Sequence, residues 1–282
     1  MVAEKIRRLM SWHAATRAPF SGALYTFCRR YVMAWSNAEV DIDLNGERWL
    51  VETIAKRAPS EDAVFLDVGA NVGDWSRLVV DNAPEARLIA FEPVPPVRAL
   101  LTANLSGSKA EILPFALSDQ TGTVEINYSP GNSHFSSIET VGQDVQSDSQ
   151  VVEVERRTGD DICAERGVAH IRFLKVDTEG HDLKVIEGFR KMLDASQIDV
   201  IQFEYNYMSI FSRTFLRDFF AALTPGMRIG RLLRDRVEYF EYVPALDNFI
   251  QANFIAVRSE LAEGEFSFLA RPGSTARQAR LS

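Results

Sequence analysis

Between Ala63 and Phe115 the chain repeats one unit: a short apolar run, a turn and a helix-length segment. Ala63-Val64-Phe65-Leu66-Asp67-Val68 is apolar at nearly every position, which suits a strand buried on both faces. It runs into Gly69-Ala70-Asn71-Val72-Gly73, and Asp74 to Asn82 follows as a helix with Asp74 as its cap or first-turn acid. Arg87 to Glu92 is the next strand, stopped by Pro93, Pro95 and Pro96. Val97 to Leu105 reads as a helix and Glu111 to Phe115 as a third strand. Strands joined through helices need right-handed crossovers, so this alternation specifies a parallel sheet.

The rest of the chain builds around that unit. Thr123 to Tyr128 and Val151 to Glu155 alternate as half-exposed strands, an inserted hairpin around a polar segment from Ser129 to Gln150. That segment reads either as a solvated loop or as a lid over a pocket. The parallel pattern resumes with a strand over Ile171 to Val176, a helix over Asp182 to Leu193 and a strand over Ile198 to Phe203. Thr214 to Leu223 reads as a helix. Met227 to Leu233, Val237 to Tyr242 and Phe249 to Val257 read as closing, partly antiparallel strands. Upstream, Val40 to Leu44 alternates, Asn45-Gly46 makes a turn, and Glu47 to Arg57 is helical. From Ser21 to Ser36, Leu24, Phe27, Cys28, Tyr31, Val32 and Trp35 recur at helical spacing, with Arg29 and Arg30 off the stripe. Such a helix is expected to pack on the main domain; lying on a membrane or closing over a ligand are the other readings. Three regions result: a helical extension or cap (1–58), the main domain (59–260) and a tail (261–282) expected to be disordered from Arg271.

Composition narrows the function classes. At 282 residues, 46% hydrophobic and 25% charged, the chain has the means for a packed core. Its net charge of −8 makes it a poor general polyanion binder, so no nucleic-acid partner is expected. Cys28 and Cys163 build no disulfide framework and belong to no CxxC pair. The N-terminal residues lack the apolar core of a signal peptide, and no apolar run is long enough to span a bilayer. A cytoplasmic location is expected, and a homo-oligomer is compatible with the sequence.

The chemistry gathers at strand ends. In an open α/β sheet, ligands bind in the crevice beyond the strand carboxyl ends. Gly69 and Gly73 let the backbone turn tightly and approach a ligand, and Glu92, about 20 residues on, suits the hydroxyls of an adenosine ribose. A dinucleotide site wants G-x-G-x-x-G; here the pattern is G-x-N-x-G followed by Asp74. An acid at that helix entrance repels a pyrophosphate but tolerates the ammonium and sulfonium of S-adenosylmethionine, and Asp67 fits a cationic ligand too. Lys175-Val176-Asp177-Thr178-Glu179-Gly180-His181-Asp182 ends another strand, and Glu204 ends the next. Methyl transfer to a hydroxyl needs a base in reach, and His181 is the best by its ordinary pKa. Asp177, Glu179 and Glu204 are the further catalytic candidates, and acids at this edge, Asp177 and Glu204 above all, also suit a magnesium ion. His134, in the polar segment, is a weaker candidate for acceptor contact.

Taken in order, FLDVGANVGDWS, IAFEPVPPVRALLTANL, PFALSDQTGTVEI, NSHFSSI, VERRTGDDI, LKVDTEGHDLKVIEGF and IDVIQFEY resemble the FkbM family of S-adenosylmethionine-dependent methyltransferases, over about Phe65 to Tyr205. The resemblance implies a class I, Rossmann-like fold: a mostly parallel seven-stranded sheet flanked by helices. It also implies O-methylation of a small hydroxylated acceptor such as a sugar, a glycan or a secondary metabolite. Carried over, Asp67, Gly69, Asn71 and Gly73 line the donor's methionine end, with Ala70 in the same turn. Glu92 holds the ribose, and Ser118 and Asp119 lie near the adenine. Asp177, Glu179 and His181 match the family's D-x-E-G-H segment, and Glu204 its acidic strand end; which of them is the base stays open. An NAD-dependent oxidoreductase and a non-catalytic nucleoside-binding module are the alternatives.

Overall fold

The computed structural model describes residues 2–57, 62–128, 150–224 and 226–270. The chain begins with helices α1 (Val2–Ala15), α2 (Ser21–Trp35) and α3 (Glu47–Ala55). The expected alternation follows as β1 (Val64–Val68), α4 (Asp74–Asn82), β2 (Arg87–Phe91), α5 (Pro95–Asn104) and β3 (Glu111–Leu113). Then come β4 (Ala116–Leu117), β5 (Gly122–Tyr128), β6 (Gln150–Arg157), α6 (Gly159–Glu165), β7 (Ile171–Val176), α7 (Asp182–Glu187), α8 (Arg190–Asp194) and β8 (Ile198–Tyr205). The last elements are α9 (Leu216–Leu223), β9 (Met227–Leu233), β10 (Arg236–Tyr239), β11 (Ala252–Arg258) and α10 (Ser259–Glu263).

All five residues of β1 are buried, as its unbroken apolar run requires. It sits inside a main sheet ordered β10-β9-β11-β8-β7-β1-β2-β3. The strands from β8 to β3 run parallel, whereas β11, β9 and β10 pair antiparallel. Eight strands are present rather than seven, because the chain folds back after Leu233 and β10 adds an edge to β9. Register sets the ends flush: Val68 lies opposite both Phe91 and Val176, and Val176 opposite Phe203. Four carboxyl ends therefore open on one edge.

Both sheet faces are covered. On one, Phe203 stacks on Phe219 with centroids 4.4 Å apart and on Phe254 at 5.6 Å. On the other, α3 and α4 cover Phe65 and Phe173 with Leu50, Ile54 and Trp75, and Trp75 and Phe173 meet edge to face with centroids 5.2 Å apart. Each such fully buried side chain contributes roughly 1.5–3 kcal/mol. A second sheet, β4-β6-β5, is the expected inserted hairpin, and its Ile126 and Val154 pack with Val94 and Val97.

Three expectations are corrected. The helix over Asp182 to Leu193 is two, broken at Gly188-Phe189. A Cβ at Gly188 would stand 2.1 Å from the Ser118 carbonyl oxygen, so close approach of these segments displaces regular helix there. Val40 to Leu44 forms turns rather than a strand, because Asp41 accepts backbone bonds from Leu44 and Asn45. Finally, α2 does not pack on the main domain: it has no buried residue. The polar segment over 129–149, His134 and the tail from 271 lie outside the described residues.

Candidate active site

A cleft opens where β1, β2 and β7 end, between the two directions in which the sheet order runs outward from β1. The turn after β1 forms its floor. Gly69 (φ +78°) and Gly73 (φ +96°) are left-handed, and so, at a cost, is Asn71 (φ +48°). Gly69 and Ala70 N–H groups both donate to the Phe91 carbonyl, at 3.1 and 3.0 Å, tying the turn to β2.

Glu92 is fixed from two sides. Asn71 N–H donates to its Oε2 (3.0 Å) and Val94 N–H to its Oε1 (2.9 Å). Each oxygen keeps a second lone pair for a ligand hydroxyl. Burial, against the pull of those amides and of Arg98, pushes the carboxyl up to about 7. The folded protein thus holds this proton more tightly than the unfolded chain does. The stability so contributed is complete below the ordinary carboxylate pKa and is lost as pH rises through about 7.

Gly69, Ala70, Asn71, Gly73, Glu92, Asp177 and Glu179 all line the cleft. Other candidates lie behind it. Asp67 is fully buried: Ser76 Oγ donates to its Oδ2 (2.7 Å), and Lys175 Nζ stands 3.7 Å from its Oδ1. Ser118 is buried too; its hydroxyl bonds Asp119 Oδ1 (2.8 Å), and Asp119 itself is exposed. His181, 2% exposed, stands at the N-terminal boundary of α7, and its Nε2 lies 3.0 Å from Ser118 Oγ. Its ring therefore joins the β7 loop to the segment after β4 and lies behind the cleft lining.

Sequence reasoning missed Val40, Ile42, Glu47 and Lys175 on the cleft wall. Lys175 was the legible one, being a buried cation next to the carboxyl end of a strand, and such a charge needs acids beside it. Its ammonium reaches Asp177 Oδ2 at 3.1 Å, and the surrounding acids hold it firmly protonated. Glu47 accepts from Asn45 Nδ2 (2.9 Å) and from Gln202 Nε2, and burial raises its pKa.

The loop after β7 is strained and anchored. Glu179 (φ +52°) precedes left-handed Gly180 (φ +96°), and a non-glycine residue held there costs about 1–3 kcal/mol. Buried Asp182 holds the conformation. Its Oδ2 accepts from Thr178 N–H (3.3 Å), Thr178 Oγ1 (3.1 Å) and Gly180 N–H (3.3 Å), and its Oδ1 from Glu204 N–H (3.2 Å). One oxygen each of Asp177, Glu179 and Glu204 lies within 4.8 Å of the other two. Glu204 also accepts from Gln251 Nε2 (2.8 Å) and from Asn206 Nδ2. Burial first, then the neighbouring acids, raises the pKa of both Glu179 and Glu204. The cleft thus carries Glu47, Asp74, Glu92, Asp177 and Glu179 against a single lysine, a lining that favours a cationic ligand over a pyrophosphate.

The family described as the methyltransferase FkbM domain matches residues 67–228. The hexuronic acid methyltransferase AglP of Haloferax volcanii is 26% identical over 208 residues, covering 71% of this chain and 82% of that protein. The 2-O-methyltransferase NoeI of Sinorhizobium fredii is 27% identical over 162 residues, covering 53% of this chain and 66% of that protein. Among solved structures, a TehB-like SAM-dependent methyltransferase from Corynebacterium glutamicum superposes with a TM-score of 0.40 at 12% identity, over 83% of this chain and 98% of that one.

Proposed function

The chain belongs to the FkbM methyltransferase family, and from that premise we propose that it transfers a methyl group from S-adenosylmethionine to a hydroxyl of a sugar or a similarly hydroxylated small molecule. The acid-lined glycine turn supports the donor best: it offers carboxylates to a sulfonium and an ammonium. When bound, S-adenosylmethionine supplies an electrophilic methyl carbon. The names of AglP and NoeI, a hexuronic acid methyltransferase and a 2-O-methyltransferase, support the acceptor class.

In this reading Glu92 receives the ribose hydroxyls, and the backbone from Gly69 to Gly73 seats the rest of the donor. Glu179 is the general base: it faces the cleft, and its raised pKa brings it nearer the working pH. Its carboxylate takes the hydroxyl proton as the new oxygen–carbon bond forms and the sulfur–carbon bond breaks. Buried His181, bonded to Ser118, is a positioning residue instead. A divalent cation is the second reading, favoured by the clustered oxygens of Asp177, Glu179 and Glu204. Those hard oxygen donors fit magnesium, which would supply positive charge beside the acceptor oxygen.

The deciding experiment offers uronic acids and neutral sugars as acceptors with labelled donor, with magnesium and with chelator. Label appearing as an acid-stable methyl ether supports the reading, and loss on chelation with recovery on magnesium supports the cation. A thermal shift with NAD and none with S-adenosylhomocysteine would overturn both.

Glu92 gives a second check. Glu92→Gln should weaken S-adenosylhomocysteine binding by about 1.5–3 kcal/mol, the worth of hydrogen bonds to a charged group. In the parent, affinity should fall as pH drops through about 7 and Glu92 takes up its proton. Calorimetry across neutral pH should find the variant flat; a parent that is equally flat removes Glu92 from the site.

A further inference from the structure

Helices α1 and α2 leave their apolar faces uncovered. On α2, Leu24, Phe27, Tyr31, Val32 and Trp35 share one face, with Phe27 and Trp35 each 67% exposed. Tyr31 and Trp35 stack at 6.4 Å, so the face is an ordered aromatic ridge. Arg29 and Arg30 lie off it. On α1, Ile6, Leu9, Met10 and Trp12 are exposed, with Arg7 and Arg8 around the helix from Ile6 and Met10. The turn between the helices adds Phe20 at 87% exposure.

Charge separates this region from the body. Residues 1–36 hold six of the 31 basic residues and one of the 39 acids, in a chain of net charge −8. Basic arginines flanking an aromatic-rich helical face are what an anionic bilayer surface attracts and admits to headgroup depth. A second copy fits less well: pairing these helices with their own image brings arginines together with only Glu4 to offset them. No helix among the described residues is long and apolar enough to cross a membrane, so contact is in the interfacial plane.

We infer that α1 and α2 dock this enzyme on an anionic membrane surface, with the aromatic ridge inserted and the arginines against lipid headgroups. The dock is joined to the cleft. Just past α2, Asn37 Nδ2 donates to the carbonyls of Asn45 (2.7 Å) and Leu232 (3.0 Å), pinning the segment to the body. Val40 and Ile42, immediately after that pin, line the cleft.

The test is cosedimentation of the full chain with phosphatidylcholine vesicles, with and without phosphatidylglycerol, at low and high salt. Binding is expected only with the anionic lipid, reversed by salt, with a blue shift of tryptophan fluorescence. Phe27→Glu with Trp35→Glu should weaken it roughly 100-fold or more, from lost apolar burial. Arg29→Glu with Arg30→Glu should weaken it roughly twentyfold or more. Because α2 buries nothing, both variants should keep the parent's melting temperature and S-adenosylhomocysteine affinity. Absence of binding to anionic vesicles overturns the inference, as does binding that both variants retain. A dimer abolished by the ridge variant, in a chain that ignores vesicles, gives the face to a second copy instead.

Discussion

Gly69→Ala is expected to abolish donor binding and to lower stability by about 3 kcal/mol or more. A Cβ at Gly69 would stand 1.9 Å from the carbonyl oxygen of Asp177. That oxygen belongs to backbone, and the Asp177 N–H is held to the Val68 carbonyl at 3.0 Å, so no side chain can swing aside. The residue must also stay left-handed at φ +78°, costing an alanine a further ~1–2 kcal/mol. Relief of the clash would part β1 from the β7 loop at the proposed donor site. Gly107→Ala is the internal control: its φ is +83°, but nothing lies within 4 Å of the added Cβ. It should show the conformational cost alone and keep full donor affinity. Urea titrations and S-adenosylhomocysteine calorimetry read both; equal effects in the two variants would show that the contact with Asp177 is unimportant.

Glu179→Gln is expected to cut turnover by about 100- to 10,000-fold, the usual worth of a general base, with donor affinity changed only a few-fold. The amide keeps the shape and the contact with Asn206 but cannot take a proton. Since burial and the charges of Asp177 and Asp182 raise the Glu179 pKa, the parent rate should climb with pH beyond the ordinary carboxylate range. The variant should lose that limb. A near-normal rate with an unchanged pH profile would take the base role from Glu179.

Why some of this was legible in the sequence and some was not follows from the range of the forces involved. The β1–turn–α4 unit carries its own instructions: an apolar run, glycines at positive φ and an acid opening the helix are local. Glu92 could be placed because strand length alone puts it at the neighbouring carboxyl end. The depth of Asp67 and His181 could not be read, because burial is a tertiary property. Both belong to the right loops, yet packing turns Asp67 toward Ser76 and His181 toward Ser118. Glu47 was equally hidden, since only the fold brings it to Gln202, 155 positions away. The break at Gly188 had a visible glycine, but the Ser118 carbonyl that explains it is remote in sequence.

The strand order bears on how this protein can be cut. The family match stops at residue 228, whereas β11 lies at Ala252–Arg258, between β8 and β9. A fragment trimmed to the match would lack an interior strand, most of β9 and the first three residues of β1. Its β8 would become a bare edge eight residues long, seven of them buried in the intact fold and five of them apolar or aromatic, a template for sheet-to-sheet aggregation. The stretch that matches the family is therefore not by itself a unit of folding. Expression, domain grafting and deletion scanning should all respect the later strands as much as the glycine turn.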